Sequence, residues 1–199
     1  MKRFLVSLIV VLAPGLSSLP STAIAQPKLV IKPLAEKKVA ELPPGLLFWR
    51  IENFDTLAQA QAAAGPWSLV AESAGKVWLL TLGAAGGSSA GGSKVAEVGP
   101  IPRVAAKEYL LRINEGSGAP GSITPPHTHP GSEAFYVLAG ETSSHTPHGV
   151  KRIKAGQTET GNGADTPMQV SSSGSTDLRS LVMFVVDANR PFSSPAKLP

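Results

Sequence analysis

The chain has 199 residues, 42% of them hydrophobic and 16% charged, which predicts one domain with an extension and a buried core. Its net charge of +4 includes no cluster of basic residues interleaved with aromatic ones, which argues against a nucleic-acid partner. The absence of cysteine excludes disulfides, thiolate metal ligands and lipid attachment through an N-terminal cysteine.

Residues 1–25 have the pattern of a secretory signal peptide. A short basic start precedes an apolar run, and Ala23 and Ala25 fit the small-residue pattern of a cleavage site. Cleavage after Ala25 removes two basic and no acidic residues, so the net charge falls from +4 to +2. We therefore expect an exported protein, periplasmic or secreted, that has no membrane partner after cleavage. The alternative is an uncleaved anchor helix, which Pro14 disfavours.

Residues 26–105 are expected to form an N-terminal arm, one short helix and additional strands that pack on the main domain. The arm, 26–44, holds one short strand, LVIK, and a second strand follows at 46–54. Asp55 is expected to cap the helix TLAQAQAAA, because alanine and glutamine are good helix formers. Two strands, WSLVAES and KVWLLTLG, a flexible loop, AAGGSSAGGS, and a strand, KVAEVG, complete the region. The pattern leaves open a second sheet, a lid or a dimer arm, and we keep a homodimer among the partners.

Residues 106–190 alternate short strands with turns that contain glycine or proline. The strands are EYLLRINEG, the HTH segment, AFYVLAGET, VKRIKAG, MQVSSS and LRSLVMFVVD. Many short strands and one helix predict an all-β fold, an antiparallel β-sandwich or barrel. The proline- and serine-containing tail, 191–199, is expected to lie on the surface.

The stretch HTHPGSEAFYVLAG, residues 127–140, has the residue types of a metal site. Side chains two apart on a strand share a face, so His127 and His129 project together. The Pro-Gly pair that follows predicts a turn, after which a strand beginning at Glu133 folds back beside the histidines as a hairpin. Two imidazoles and a carboxylate on one face can hold a divalent metal with open coordination positions.

The same stretch resembles the first motif of the cupin superfamily. Gly121, His127, His129, Glu133 and Gly140 match each position that the motif defines. The resemblance implies a single cupin-type jelly roll, a small antiparallel β-barrel with a metal at its mouth. It does not imply one reaction, because the fold hosts oxygenases, isomerases, decarboxylases, storage proteins and regulators.

A second cupin motif is only partly present, and the resemblance as a whole covers residues 107–187. Gly156 fits the opening glycine, but Met168 occupies the place where the family has a third histidine ligand. Met168 has three interpretations: a soft fourth ligand, a pocket wall beside an open three-ligand site, or the mark of a site that has lost its metal. A thioether favours iron or copper as the divalent transition metal, with manganese, zinc or nickel as alternatives.

Three further residues are candidates for binding a substrate. Phe135 continues the face of Glu133 along its strand. Arg112, in the strand before the motif, could pair with an anionic ligand, or it could make only a structural hydrogen bond. His145 could reach the barrel interior if the register suits it, and is otherwise an exposed turn residue.

These features favour an exported metal-dependent enzyme, an oxidoreductase such as a dioxygenase that acts on a small organic molecule. The alternative is a non-catalytic periplasmic cupin that binds a small molecule or a metal. A third hypothesis, compatible with both, is an interaction protein whose arm pairs with a neighbouring chain. No catalytic residue is assigned, because the sequence has no nucleophile-and-base arrangement and no phosphate-binding loop.

Overall fold

The computed structural model describes residues 26–198, so the predicted signal peptide lies outside the described part of the chain. No helix in this part has the length and apolar character needed to span a bilayer. The elements are β1 (Val30–Val39), β2 (Leu47–Phe54), α1 (Leu57–Ala63), β3 (Ser68–Ser73), β4 (Lys76–Gly83), β5 (Ser93–Ile101), β6 (Tyr109–Gly118), β7 (His127–Thr128), β8 (Gly131–Ala139), β9 (Glu141–Thr146), β10 (Gly149–Lys154), β11 (Thr158–Glu159), β12 (Gln169–Ser172), β13 (Leu178–Asp187) and β14 (Ser194–Pro195).

The strands form three layers, and the middle layer is a five-stranded sheet. The central sheet has the order β1-β6-β13-β8-β11 and faces a three-stranded sheet, β10-β9-β12. A four-stranded sheet, β3-β4-β2-β5, comes from the N-terminal region, and β14 pairs with β7. Because β13 lies in the middle of the central sheet and is covered on both faces, its sequence is almost continuously apolar rather than alternating.

The two faces of the central sheet pack against different partners. The face toward the N-terminal sheet is called the rear face, and its buried side chains join those of that sheet in one hydrophobic cluster. The other face, called the front face, contributes to a second cluster with the three-stranded sheet. The rear-face residues are Leu111, Ile113, Ala134, Tyr136, Leu181, Met183 and Val185. The front-face residues are Phe135, Val137, Val182, Phe184 and Val186.

The N-terminal region forms its own sheet behind the barrel and also supplies one edge strand. Strand β1 has ten residues and pairs with β6 with one irregularity between Pro33 and Ala35, so the strand in the arm is much longer than the predicted LVIK. Helix α1 buries Ala60 against Phe54 and Leu79 on the N-terminal sheet. The loop predicted to be flexible is anchored, since the backbone nitrogen of Ser89 donates to the buried carboxylate of Glu52 at 2.6 Å.

The helix cap differs from the prediction. Thr56, not Asp55, is the N-cap residue, and its hydroxyl accepts a hydrogen bond from the backbone nitrogen of Gln59 at 3.3 Å. The side chain of Gln59 in turn accepts from the backbone nitrogen of Thr56 at 3.1 Å. This reciprocal capping box satisfies two helix-end donors, whereas Asp55 lies one residue too early to do so.

Candidate metal and ligand site

A cavity of about 370 Å³ lies on the front face, bordered also by the segment that leads into β7 and by the C-terminal segment. Its walls are mainly apolar, with a few polar groups on the strands of the central sheet. Such a size and character are typical of small-molecule sites. The cavity is lined by Leu29, Ile31, Asn114, Gly116, Thr124, Pro125, Pro126, His127, His129, Glu133, Phe135, Val170, Ser180, Val182, Phe184, Phe192, Ser193 and Pro195.

The predicted hairpin between the histidine segment and the Glu133 strand is wrong. Strand β7 pairs with β14, and His127 exchanges both backbone hydrogen bonds with Met168, at 2.8 and 2.9 Å. Strand β8 instead pairs with β13 and β11. After Pro130 the chain crosses into the central sheet, and any side chain at Gly131 would overlap the carbonyl of Val185. The Pro-Gly pair therefore permits a close crossing between sheets rather than a reversal.

The crossing nevertheless brings the three predicted ligands to one cavity. The rings of His127 and His129 meet edge to face, with centroids 4.9 Å apart. Nε2 of His129 lies 3.9 Å from Oε2 of Glu133, which is too far for a hydrogen bond. Glu133 lies opposite Phe184 in the pairing of β8 with β13, so its side chain points to the front face.

Backbone carbonyls fix the ring orientation of both histidines. Nδ1 of His127 is 2.9 Å from the carbonyl oxygen of Pro125, and Nδ1 of His129 is 2.6 Å from that of Phe192. A carbonyl only accepts, so each Nδ1 carries the proton and donates. In the neutral form of each ring, Nε2 is left with a lone pair, which is the arrangement of histidines that bind metals.

Burial makes the inner groups of the site electrically neutral. It lowers the pKa of His129 to about 4, an effect that the charges of His127 and Arg112 reinforce and the Phe192 carbonyl opposes. Burial also raises the pKa of Glu133 to about 8. At neutral pH the metal-free pair is therefore an uncharged imidazole beside a protonated carboxyl group, although its separation of 3.9 Å would satisfy the usual limit for an ion pair.

The donor chemistry of the site fits a divalent transition metal. Oε1 of Glu133 is buried without a hydrogen-bond partner, and both histidines border the same cavity with Nδ1 held by a backbone carbonyl, so that Nε2 is the nitrogen available to a metal. Within residues 26–198, however, no three His, Asp or Glu side chains stand close enough together to hold an ion as they are. Side-chain rotations would have to bring the donors together.

The other predicted site residues have different places. Phe135 lines the cavity, as its strand position predicts. Met168 is 1% exposed and sits opposite His127, but it is not among the lining residues, so its role as a ligand stays a prediction. His145 is exposed on β9 and does not border the cavity. The register of β9 turns its neighbours Ser144 and Thr146 inward instead.

Arg112 also stays outside the cavity, behind its wall. Its Nε donates to Oδ1 of Asn114 at 2.9 Å, and its Nη1 lies 3.3 Å from a carboxylate oxygen of Glu36. The guanidinium lies over the ring of Phe192, 4.3 Å from the centroid. Arg112 thus makes the structural hydrogen bond that was the alternative to ligand binding. A contact between Arg112 and an anionic ligand stays a prediction.

The C-terminal segment was expected to be a surface tail, but it forms one wall of the site. Phe192 packs against the rings of both His129 and Phe184, with centroids 4.8 and 4.9 Å away, and those two rings also contact each other. Arg190 makes two hydrogen bonds to the carboxylate of Asp165, at 2.6 and 3.0 Å. A lone phenylalanine in a polar tail was the only sequence signal that could have indicated this role.

The strand order and the position of the histidine motif decide the fold. The sheet β6-β13-β8-β11 and the sheet β10-β9-β12 enclose the motif between them. Residues 107–187 form an antiparallel β-sandwich of these two sheets. The all-β fold predicted for the chain is confirmed, and the N-terminal extension adds a sheet and one short helix to this sandwich.

Comparison with solved structures returns several proteins that resemble part of this chain at low sequence identity. An uncharacterised double-stranded β-helix protein from Klebsiella pneumoniae is 22% identical over 44% of this chain and 75% of its own, with a TM-score of 0.38. A cupin-like protein from Thermotoga maritima is 13% identical over 44% and 65%, at 0.39. A polyketide cyclase from Streptomyces resistomycificus is 23% identical over 45% and 62%, at 0.36.

The matched region spans less than two thirds of the latter two chains. With identities and scores this low, nothing about the activity, substrate or metal of the present chain follows from these likenesses. No protein-family model matches the chain, and no curated protein sequence does so.

Proposed function

We propose that this chain is an exported cupin-type protein that binds a divalent transition metal through His127, His129 and Glu133. We further propose that it is a metal-dependent enzyme, dioxygenase-like, that acts on a small organic molecule held in the cavity. One observation carries the proposal. Two Nε2 lone pairs, fixed by backbone carbonyls, and an unpartnered carboxylate oxygen border the same apolar cavity.

The chain's own residues would have three roles: they would orient the imidazoles, supply a carboxylate ligand and exclude water. The carbonyls of Pro125 and Phe192 hold the two imidazoles in the tautomer that a metal requires. Glu133 would release its proton on binding the ion, because only the carboxylate is a good ligand. The apolar walls would exclude water from the bound organic molecule. The metal would supply a Lewis acid or redox centre with open positions for oxygen or substrate.

Iron is the metal that this donor set favours. Two histidines and one carboxylate with open positions are the ligands of non-haem iron(II) oxygenases, and copper, zinc, manganese and nickel accept related sets. The argument for copper rested on the soft sulfur of Met168. It is weakened because Met168 is not among the residues that line the cavity.

A second candidate is a non-catalytic periplasmic cupin that binds a small molecule or a metal. Two observations favour it. The donors among residues 26–198 do not converge as they stand, and the cavity lining contains no titratable side chain besides His127, His129 and Glu133. A general base separate from the metal ligands is therefore missing from the cavity wall.

Metal content tests the site. The mature chain, residues 26–199, would be purified from its native host and measured by elemental mass spectrometry beside His127→Ala and Glu133→Gln. His145→Ala is the matched control, because it removes a histidine that does not border the cavity. We expect near-stoichiometric metal in wild type and His145→Ala and a marked loss in the other two. Wild-type protein that neither carries nor takes up a transition metal would refute the metal site.

Turnover separates the two functions. Metal-loaded protein would be incubated with small-molecule extracts of the host while oxygen consumption and thermal stability are followed. Oxygen consumption that Glu133→Gln abolishes supports the enzyme. A rise in melting temperature without any consumption supports the binding protein. N-terminal sequencing of the native protein tests export, for which we expect a mature start at Gln26.

A further inference from the structure

The cavity contains a fixed hydrogen-bond donor that is not part of the proposed metal site. Asn114 lies on the front face of β6, is only 2% exposed and lines the cavity. Its Oδ1 accepts from Nε of Arg112 at 2.9 Å. Because the guanidinium group only donates, the amide must place its oxygen toward Arg112 and its Nδ2 on the other side. Within residues 26–198, Nδ2 has no hydrogen-bond partner.

Arg112 is itself held in place, so the orientation of the amide is set before any ligand arrives. Glu36 on the neighbouring strand β1 lies 3.3 Å from its guanidinium, and the ring of Phe192 stacks against it. Arg112 thus acts as a positioning residue for Asn114. An unpaired N–H donor in an otherwise apolar wall is costly unless a ligand or water accepts from it.

The rest of the wall indicates which kind of ligand fits. Among the described residues that line the cavity there is no lysine or arginine, so an anionic ligand would find no counter-charge. The one carboxyl group, Glu133, belongs to the proposed metal site. Leucine, isoleucine, valine, phenylalanine and proline side chains supply most of the remaining surface. An uncharged, mainly apolar molecule therefore matches the cavity.

From this geometry we infer that the cavity binds a small, uncharged, mainly apolar molecule that carries an oxygen acceptor, and that the amide nitrogen of Asn114 binds that oxygen. The oxygen is that of a carbonyl, an ether or a hydroxyl, each of which accepts from an amide N–H. The inference rests on the proposed function only in that a small organic molecule occupies the cavity. It does not require the metal.

Three probes with one ring frame test the inference: 2-acetylnaphthalene, 2-ethylnaphthalene and 2-naphthoate. Their affinities for the mature chain would be measured by calorimetry, in metal-free and in metal-loaded protein. For the wild type we expect the acetyl probe to bind about tenfold more tightly than the ethyl probe, the effect of one good hydrogen bond. In metal-free protein, the carboxylate should bind more weakly than the acetyl probe.

Asn114→Leu should abolish the acetyl preference while leaving the affinity for the ethyl probe. Asn53→Leu makes the same chemical change on the N-terminal sheet, outside the cavity, and should keep the preference. Equal affinities of the wild type for the acetyl and ethyl probes, or binding of neither, would overturn the inference even if Asn114→Leu did not fold. A preference that persists in Asn114→Leu would overturn it as well.

The outcomes also separate this inference from the metal site. An acetyl preference in protein that takes up no metal would retain the inference and refute the proposed metal centre. Stoichiometric metal without any acetyl preference would refute the inference and retain the proposed metal centre.

Discussion

The rear and front faces of the central sheet are built from the same three strands, β6, β8 and β13, yet only the front face borders the cavity of the candidate site. On the rear face, Ile113, Leu181 and Met183 are fully buried against the N-terminal sheet. On the front face, their chain neighbours Asn114 and Val182 border a cavity of about 370 Å³. Successive residues of a strand point to opposite faces, so a shift of one residue separates the hydrophobic core from the site.

The difference shows how one sheet can both stabilise the molecule and hold groups that cost stability. A buried carboxyl group at Glu133 that has no hydrogen-bond partner for one of its oxygens lowers the free energy of unfolding. The rear face offsets this cost with closely packed apolar side chains. The N-terminal sheet is thus an integral layer of the fold, and the cavity depends on it although it contributes no lining residue.

The largest expected effect is a difference between two adjacent substitutions on β13. Leu181→Ala, on the rear face, should lower the free energy of unfolding by about 2–5 kcal/mol, because it leaves a hole in a filled core. Val182→Ala, on the front face, should cost only about 1 kcal/mol, since part of its surface already faces a void. Denaturant unfolding measures both. Equal losses would mean that the front face is as tightly packed as the rear face.

A smaller effect concerns the pH dependence of the front face in metal-free protein. Glu133, with its pKa raised by burial from 4.5 to about 8, keeps a proton that the unfolded chain loses, so stability falls as pH rises through this range. His129, with its pKa lowered from 6.5 to about 4, lacks a proton that the unfolded chain takes up. Its contribution therefore rises with pH between about 4 and 6.5.

The two slopes oppose each other below pH 6.5, and only the contribution of Glu133 still changes from there to about pH 8. We expect it to lower the free energy of unfolding by about 2 kcal/mol over that range. Glu133→Gln should lack this fall and retain the rise below pH 6.5. Denaturant unfolding of both proteins at intervals from pH 4 to 8 gives the comparison. Parallel profiles above pH 6.5 would show that Glu133 is already ionised in the folded chain.

The smallest effect is expected at the rim of the cavity. Asp165→Asn weakens the paired hydrogen bonds to Arg190 and should change the free energy of unfolding by less than about 1 kcal/mol, because both side chains are about half exposed. Asp165 has a left-handed backbone with φ of 60°, which asparagine also adopts. Backbone strain should therefore not contribute to the change in the free energy of unfolding. Thermal unfolding measures the change. A loss as large as that of Leu181→Ala would mean that the Asp165–Arg190 pair stabilises the chain as much as the rear-face packing of Leu181 does.

The order and type of the strands could be predicted because local residue patterns determine them. LRSLVMFVVD is apolar enough to indicate a central strand, and glycine or proline marks most turns. The helix cap could also have been predicted correctly, since Thr56 and Gln59 have the spacing of a capping box that Asp55 lacks. Pairing between distant strands could not be predicted, and the proposed hairpin failed for that reason. The partners of β7 lie about 40 and 66 residues further along the chain.

The cavity was only partly predictable. The grouping of His127, His129 and Glu133 could be predicted, because imidazole and carboxylate side chains are candidate metal ligands. All three line the cavity. Phe192 contributes to the site through its backbone carbonyl, an atom that every residue has and that no sequence pattern marks. Asn114 is equally ordinary in the sequence, since its role depends on a neighbour two positions earlier that fixes its amide. The charge of Arg112 predicted a contact with an anionic ligand. In the structure, its guanidinium instead donates a hydrogen bond to Asn114 and lies over the ring of Phe192.

The C-terminal segment should tolerate changes of residue type far better than changes of length. Apart from the ring of Phe192, its contacts with the histidine segment are made by backbone atoms: Ser194 and Pro195 pair with β7, the carbonyl of Phe192 accepts from His129, and the nitrogen of Ala196 donates to Pro126. Substitution of either serine in this segment would leave those atoms in place. Insertion or deletion of a single residue would move the Phe192 carbonyl out of register with the imidazole, so variation among related chains should show few gaps here even where the amino acids differ.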